Sequence, residues 1–219
     1  MIHFHQVTKT YSTRGIKKTV LDNLTVTFAK GETIGILGKN GAGKSTLLRL
    51  ASGTEAPTRG RVRQKGSVSW PLGLSGGFQG SLTGRQNVNF VARLYGHSDR
   101  LDEVAAYVQS FSELGDYFEV PVKKYSSGMR SRLAFALSMA FQFDYYIVDE
   151  ITAVGDLDFR TKSMQSFRDL HARGVGMLFV SHSLEIVRQL CTQAYCLRDG
   201  HLLGFDSVQD AIRFYQQEG

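Results

Sequence analysis

The stretch GKNGAGKST, Gly38 to Thr46, stands between the apolar run TIGIL (Thr33 to Leu37) and the amphipathic run LLRLAS (Leu47 to Ser52). Its spacing fits G-x-x-x-x-G-K-[ST], in the order strand, loop, helix. The glycines let Gly38, Lys39, Asn40, Gly41, Ala42 and Gly43 wrap close to a polyphosphate with their N–H groups pointing inward. The helix that starts at Lys44 adds partial positive charge at the same point. Lys44 is placed to reach the outer phosphates, and the hydroxyl of Ser45 to meet Mg²⁺, with Thr46 beside it. A chance glycine turn would not bring all of these together, and no dinucleotide fingerprint G-x-G-x-x-G occurs in this loop.

Working outward, short apolar runs alternate with helical patterns. Strands are predicted at 1–7, 24–28, 33–37, 67–70, 145–148, 177–180 and 195–197. Helices are predicted at 44–52, 85–95, 100–114, 128–143, 159–173, 184–191 and 208–217. Such alternation argues for an α/β fold with a parallel central sheet. The first thirty residues look like an antiparallel β layer, and residues of about 71–140 read almost wholly as helix, as an inserted subdomain would. One domain over residues 1–219 is expected.

Three further stretches belong with the loop. YYIVDE (Tyr145 to Glu150) is an apolar strand that runs into two carboxylates. A buried parallel strand of this kind delivers its acids to the ligand edge of the sheet. Asp149 is suited to holding Mg²⁺ through water, and Glu150 to polarising an attacking water as general base. VSHS (Val180 to Ser183) ends another strand at the same edge, so His182 could sense a terminal phosphate and hold that water. In KYSSGM, from Lys124, Ser126 or Ser127 caps a strongly apolar helix, and a capped helix start is also an anion site.

Bulk properties narrow the function classes. The net charge of +6 is scattered, without a block of like charges, and no helix-turn-helix, aromatic RNA-binding motif or zinc knuckle appears, so no nucleic-acid partner is expected. No apolar run reaches the ~18 residues of a spanning helix. The longest, Leu133 to Phe143, includes Ser138 and Gln142. The start, MIHFHQVTKTY, lacks the pattern of a secretory signal. Cys191 and Cys196 form a lone C-x4-C with no second pair, which reads as two reduced thiols.

The order of these elements (phosphate loop, Ser-Gly helix start, strand with Asp-Glu, strand with His) resembles the ATP-binding subunits of ABC transporters over essentially the whole chain. YSSGM (Tyr125 to Met129) is similar to the family signature LSGGQ: Ser126 and Gly128 match it, Ser127 and Met129 depart. Tyr11 sits where the family carries an aromatic that stacks on adenine, and AVGD (Ala153 to Asp156) where it carries SALD. Together with SWPLGLSGGFQGSLTGRQN (Ser69 to Asn87), FVARLY and TAVGD, these stretches look like the group 2-type capsular polysaccharide exporters of Gram-negative bacteria. The resemblance implies the P-loop ABC-ATPase fold and hydrolysis of ATP with Mg²⁺. It implies a head-to-tail homodimer in which the phosphate loop of one subunit faces Ser126 and Gly128 of the other. It further implies two copies of an integral membrane permease, a lipid-linked polysaccharide as cargo, and a peripheral place at the cytoplasmic face of the inner membrane, reached through the permease. Exporters of O-antigen or teichoic acid are the nearest alternatives, and a soluble ABC ATPase a more distant one. The short stretch after Leu197 leaves no room for the added carbohydrate-binding domain of many O-antigen exporters, which favours the capsule branch.

In the glycine-rich stretch Ser69 to Asn87, the family places a glutamine soon after the strand. Pro71 to Leu74 contain none, so Gln79 is the candidate for a contact with Mg²⁺. Phe78 and Leu82, on a flexible frame, are candidates for docking the permease. No Lys-Ser/Thr follows these glycines, so a second phosphate loop is not expected.

Overall fold

The structure, a computed structural model, describes residues 1–13, 15–72, 77–149, 156–181 and 183–217. The chain divides into two compact units: residues 1–71, 143–152 and 166–219 form the first, residues 72–142 and 153–165 the second.

The first unit holds two sheets. β1 (Ile2–Thr13), β2 (Ile16–Phe28) and β4 (Arg59–Gln64) form an antiparallel sheet in the order β2-β1-β4. Its inner face is apolar: Ile2, Phe4, Val7, Leu21 and Phe28 are fully buried. The second sheet has six strands. They are β3 (Thr33–Leu37), β5 (Val68–Leu72), β6 (Tyr145–Asp149), β7 (Gly176–Val180), β8 (Gln193–Arg198) and β9 (His201–Gly204), in the order β5-β6-β7-β3-β8-β9. β3 and β7 are buried at every residue, which is why interior parallel strands read as continuous apolar runs. Helices α1 (Lys44–Ser52), α6 (Leu184–Leu190) and α7 (Val208–Gln217) also belong to this unit. The core of the unit gathers Leu47, Leu48 and Leu50 of α1 with Ile34, Ile36, Ile147 and Leu178 of the sheet.

The second unit contains α2 (Gly84–Leu94), α3 (Leu101–Ser112) and α4 (Ser127–Met139), with two 3₁₀ turns between α3 and α4. It also takes in the start of α5 (Leu157–Ala172). Val88, Ala92, Val104, Val108, Leu133 and Phe135 are buried in it. Two of these helix starts show their cause. In α2 the Thr83 hydroxyl accepts from the N–H of Gln86, and the Gln86 side chain accepts from Thr83 N–H, a capping box. In α4 Ser126, rather than Ser127, is the cap, its Oγ accepting from Met129 N–H at 3.1 Å.

Several expectations change. The central sheet is mixed, because β9 returns antiparallel to β8. β4 and β9 go beyond the strands read from sequence. β4, RGRVRQ, has one half-buried apolar residue, Val62, and it pairs at an edge, so it has no apolar run to display. β1 and β2 extend into a polar hairpin, where Tyr11 pairs Lys18 and Thr13 pairs Ile16. Helix α4 ends at Met139, short of the expected Phe143.

Candidate nucleotide site

Parallel pairing sets the geometry. Ile36 of β3 and Asp149 of β6 both stand in register with Val180 of β7. The C-terminal ends of three strands therefore lie side by side, and Gly38, Asp149 and Ser181 come out at one edge. Glu150 and His182, which follow Asp149 and Ser181 in the sequence, lie outside the described residues.

The loop from Gly38 to Gly43 packs tightly enough to explain its glycines. A side chain at Gly38 would lie 2.6 Å from the carbonyl oxygen of Leu197. Gly43, at φ 109°, is left-handed and would set its side chain 2.6 Å from Val20 Cγ1. Only glycine takes both the backbone and the contact. α1 starts here, with Leu47 N–H donating to Gly43 O at 2.9 Å. Lys44 is 8% exposed, a nearly buried cation. Its Nζ donates to the carbonyls of Gly38 at 2.6 Å and Lys39 at 3.0 Å. Ser45 is exposed, and Thr46 is buried. Gly38, Lys39, Asn40, Gly41 and Ala42 also line a crevice of about 550 Å³, whose other walls include Lys18, Val20, Arg198 and Phe214. The donor set is a buried ammonium, a glycine cradle and a helix start, and it fits a nucleoside polyphosphate.

For a metal, the hard oxygens of Ser45 and Asp149 suit Mg²⁺. Among the described residues no three His, Cys, Asp or Glu side chains gather as a metal cluster. A Mg²⁺ here would therefore be held chiefly by phosphate oxygens and water, as this ion prefers.

Tyr11 is tied to the loop by residues that no motif marked. Its hydroxyl donates to Glu55 Oε2 at 2.9 Å, accepts from Arg49 Nη2 at 3.1 Å, and lies 3.3 Å from Thr46 Oγ1. Lys9 pairs with Glu55 at 2.8 Å and stands over the Tyr11 ring, 5.1 Å from its centre. One ring face is thus taken by an ammonium. Burial alone would raise the Glu55 carboxyl, but hydrogen bonds from Lys9, Arg49 and Tyr11 outweigh it and hold the group down at about 2. Glu55 and Arg49 escaped notice because Tyr11, which both of them meet, lies 44 and 38 positions away. The cysteines are free; burial pushes Cys191 up to about 12 and Cys196 to about 11, so both stay protonated thiols.

In the second unit, Ser126, Ser127, Gly128, Met129, Arg132 and Asp156 line a pocket of about 590 Å³ at the start of α4. In the glycine-rich stretch, Gly73 to Gly76 lie outside the described residues. The rest is held rather than flexible. Asn87, 2% exposed, accepts from Gln79 N–H at 2.8 Å, and its Nδ2 reaches the carbonyls of Gln79, Leu82 and Thr83. Val122 N–H donates to Leu82 O and Lys123 N–H to Gly80 O, both at 2.9 Å. Phe78 and Leu82 are half-buried and Gln79 is exposed. The described part of the expected flexible frame, residues 79–83, is hydrogen-bonded through one buried asparagine and the backbone of Val122 and Lys123.

Among the described residues no helix is long and apolar enough to cross a membrane. The family model described as ABC transporter matches residues 21–153. The polysialic acid transport ATP-binding protein KpsT of Escherichia coli is 48% identical over 99% of this chain and 96% of its own length. The capsule polysaccharide export ATP-binding protein CtrD of Neisseria meningitidis is 48% identical, covering 98% of each chain. The O-antigen export ATP-binding protein RfbB of Klebsiella pneumoniae is 38% identical over 93% of this chain. Among solved structures, the dimeric ATP-binding cassette MJ0796 bound to ADP and Pi superposes with a TM-score of 0.79. It shares 22% identity over 95% of this chain and 99% of its own, which speaks for the fold alone. A match that runs from the phosphate loop past Asp149, joined by near-half identity along the whole length of such subunits, makes this chain a member of the ABC transporter family.

Proposed function

We propose that this chain is the ATP-hydrolysing subunit of a capsular polysaccharide exporter of the bacterial inner membrane. The observation that carries this reading is the 48% identity, over nearly the full chain, to subunits of capsule systems, against 38% to an O-antigen export subunit.

Lys44 and the loop N–H groups hold the outer phosphates of ATP, and Tyr11 offers the ring face away from Lys9 to the adenine. Ser45 and Asp149 would hold Mg²⁺, which would supply charge neutralisation at the phosphates. Gln79 is the further candidate for that ion. Glu150 takes a proton from the attacking water, and His182 keeps that water in place against the terminal phosphate. Two copies close head to tail, so that Ser126 and Gly128 of one meet the ATP held by the other. Closure moves the permease, which carries a lipid-linked polysaccharide and contacts this chain at Phe78 and Leu82. The chain then sits at the cytoplasmic face of the membrane, through its partner.

The test is Lys44→Ala in the native strain. ATPase activity of the purified subunit and capsule at the cell surface are both expected to vanish. Capsule still present at the surface overturns the transport reading.

A further inference from the structure

Two charged side chains, Arg132 and Asp156, line the Ser126–Gly128 pocket, and Glu113 and Lys162 extend the cluster behind Arg132. Arg132, one turn into α4, forks between two carboxylates. One Nη pairs with Asp156 Oδ2, and the other stands 3.7 Å from Glu113 Oε2. Lys162 of α5 takes the second oxygen of Glu113 at 2.7 Å and donates to Phe111 O at 3.0 Å. The Arg132 guanidinium lies 5.1 Å from the centre of the Phe159 ring. Phe159 is fully buried and packs edge-on against Phe111 and Phe135. Arg132 is only 18% exposed.

Asp156 is fixed as well. Its Oδ1 accepts from Phe159 N–H at 3.1 Å, which caps the start of α5. That bond, and then Arg132, hold its carboxyl below the usual carboxylate range, so it stays ionised. Asp156 nevertheless lines the same pocket as Ser126 and Gly128. A pocket whose helix start favours an anion is therefore walled in part by a permanent negative charge that cannot leave without uncapping a helix. The two effects oppose each other unless the carboxylate is neutralised.

We propose that Arg132 is a positioning residue for phosphate recognition: by neutralising Asp156 in place, it makes the Ser126–Gly128 pocket fit for an anion. The arginine fork matters, because a lysine ammonium is a point charge and cannot reach Asp156 and Glu113 with the same planar geometry. With Lys162 on Glu113, two cations balance two carboxylates. Loss of Arg132 leaves the pocket facing an excess of negative charge. This inference rests on the reading that the pocket receives the terminal phosphate of ATP held by a second copy.

The experiment uses the full chain with Mg²⁺ and a slowly hydrolysed ATP analogue. It reads the nucleotide concentration at which half the protein is dimeric, by light scattering. Arg132→Ala is expected to raise that concentration about tenfold, and the deficit should shrink as salt rises, because exposed charges are screened within ~10 Å at 0.1 M. The decisive variant is Arg132→Ala with Asp156→Asn. Asparagine still caps α5 but carries no charge, so most of the affinity should return. A merely structural Arg132 would make the double variant as weak as the single, and that result overturns the proposal. Arg132→Ala dimerising at the wild-type concentration overturns it too. Failure of the wild-type chain to dimerise with nucleotide would instead strike the reading beneath it.

Discussion

Glu55 carries more of the nucleotide site than its place in a turn suggests. It gathers Lys9, Arg49 and the Tyr11 hydroxyl, and through them sets Tyr11 beside Thr46. Its folded pKa of about 2 lies below the unfolded value of ~4.3. The stability it contributes is therefore fully present above about pH 4.3 and is lost as pH falls toward 2. Glu55→Gln keeps the shape and removes the charge. It is expected to cost about 1.5–3 kcal/mol at neutral pH, the range for hydrogen bonds to charged groups. Urea unfolding at pH 7 and pH 3 should find the gap to wild type narrowed at the acid end; an unchanged gap would remove Glu55 as its source. At this scale the sequence was legible where chemistry is local. Gly38 to Thr46 declare a phosphate loop because strand, turn and helix are contiguous. Glu55 declares nothing, since Tyr11 lies 44 positions away and only the fold brings them together.

At the scale of elements, the segment from Gln79 to Thr83 depends on Asn87. Asparagine on a helix usually faces water, but here it is buried and meets backbone groups of the preceding loop with both ends of its amide. Asn87→Ala leaves Gln79 N–H without its acceptor. The expected cost is about 2–3 kcal/mol, from the lost bonds and stranded groups. Hydrogen exchange at residues 79–83 should speed up well beyond that of α3, and uniform exchange across both would refute the clamp. The same scale explains which elements could be read. β3, β6 and β7 are interior strands and announce themselves by unbroken apolar runs. β4, with Val62 as its one apolar side chain, and β9, four residues long, are edge strands and look like turns. The hydrogen bonding of residues 79–83 could not be read from the glycine content of the loop, because Asn87 lies in the helix that follows.

Across the whole molecule, the two anion-binding features belong to different compact units, each with its own buried core. The proposed dimer gives both a common ligand. Glu150→Gln tests that assembly. With the proton acceptor gone, nucleotide should bind but not turn over, and the chain with Mg²⁺ and ATP is expected to run as a stable dimer on gel filtration. Unchanged ATPase activity in this variant would remove Glu150 from its role. The assembly itself was not legible in composition or periodicity; it came from family resemblance, because no single chain displays a surface pattern that names its own second copy.

Lys44 adds a thermodynamic consequence. Its ammonium already gives hydrogen bonds to two carbonyls of its own loop. In the proposed role, a phosphate would enter by exchange, displacing those carbonyls instead of meeting a bare charge. The heat of binding is the difference between two sets of hydrogen bonds and stays small beside either set. Such a loop discriminates by charge: a neutral oxygen gains nothing over a carbonyl, whereas an ionised phosphate makes the stronger, charge-assisted bond.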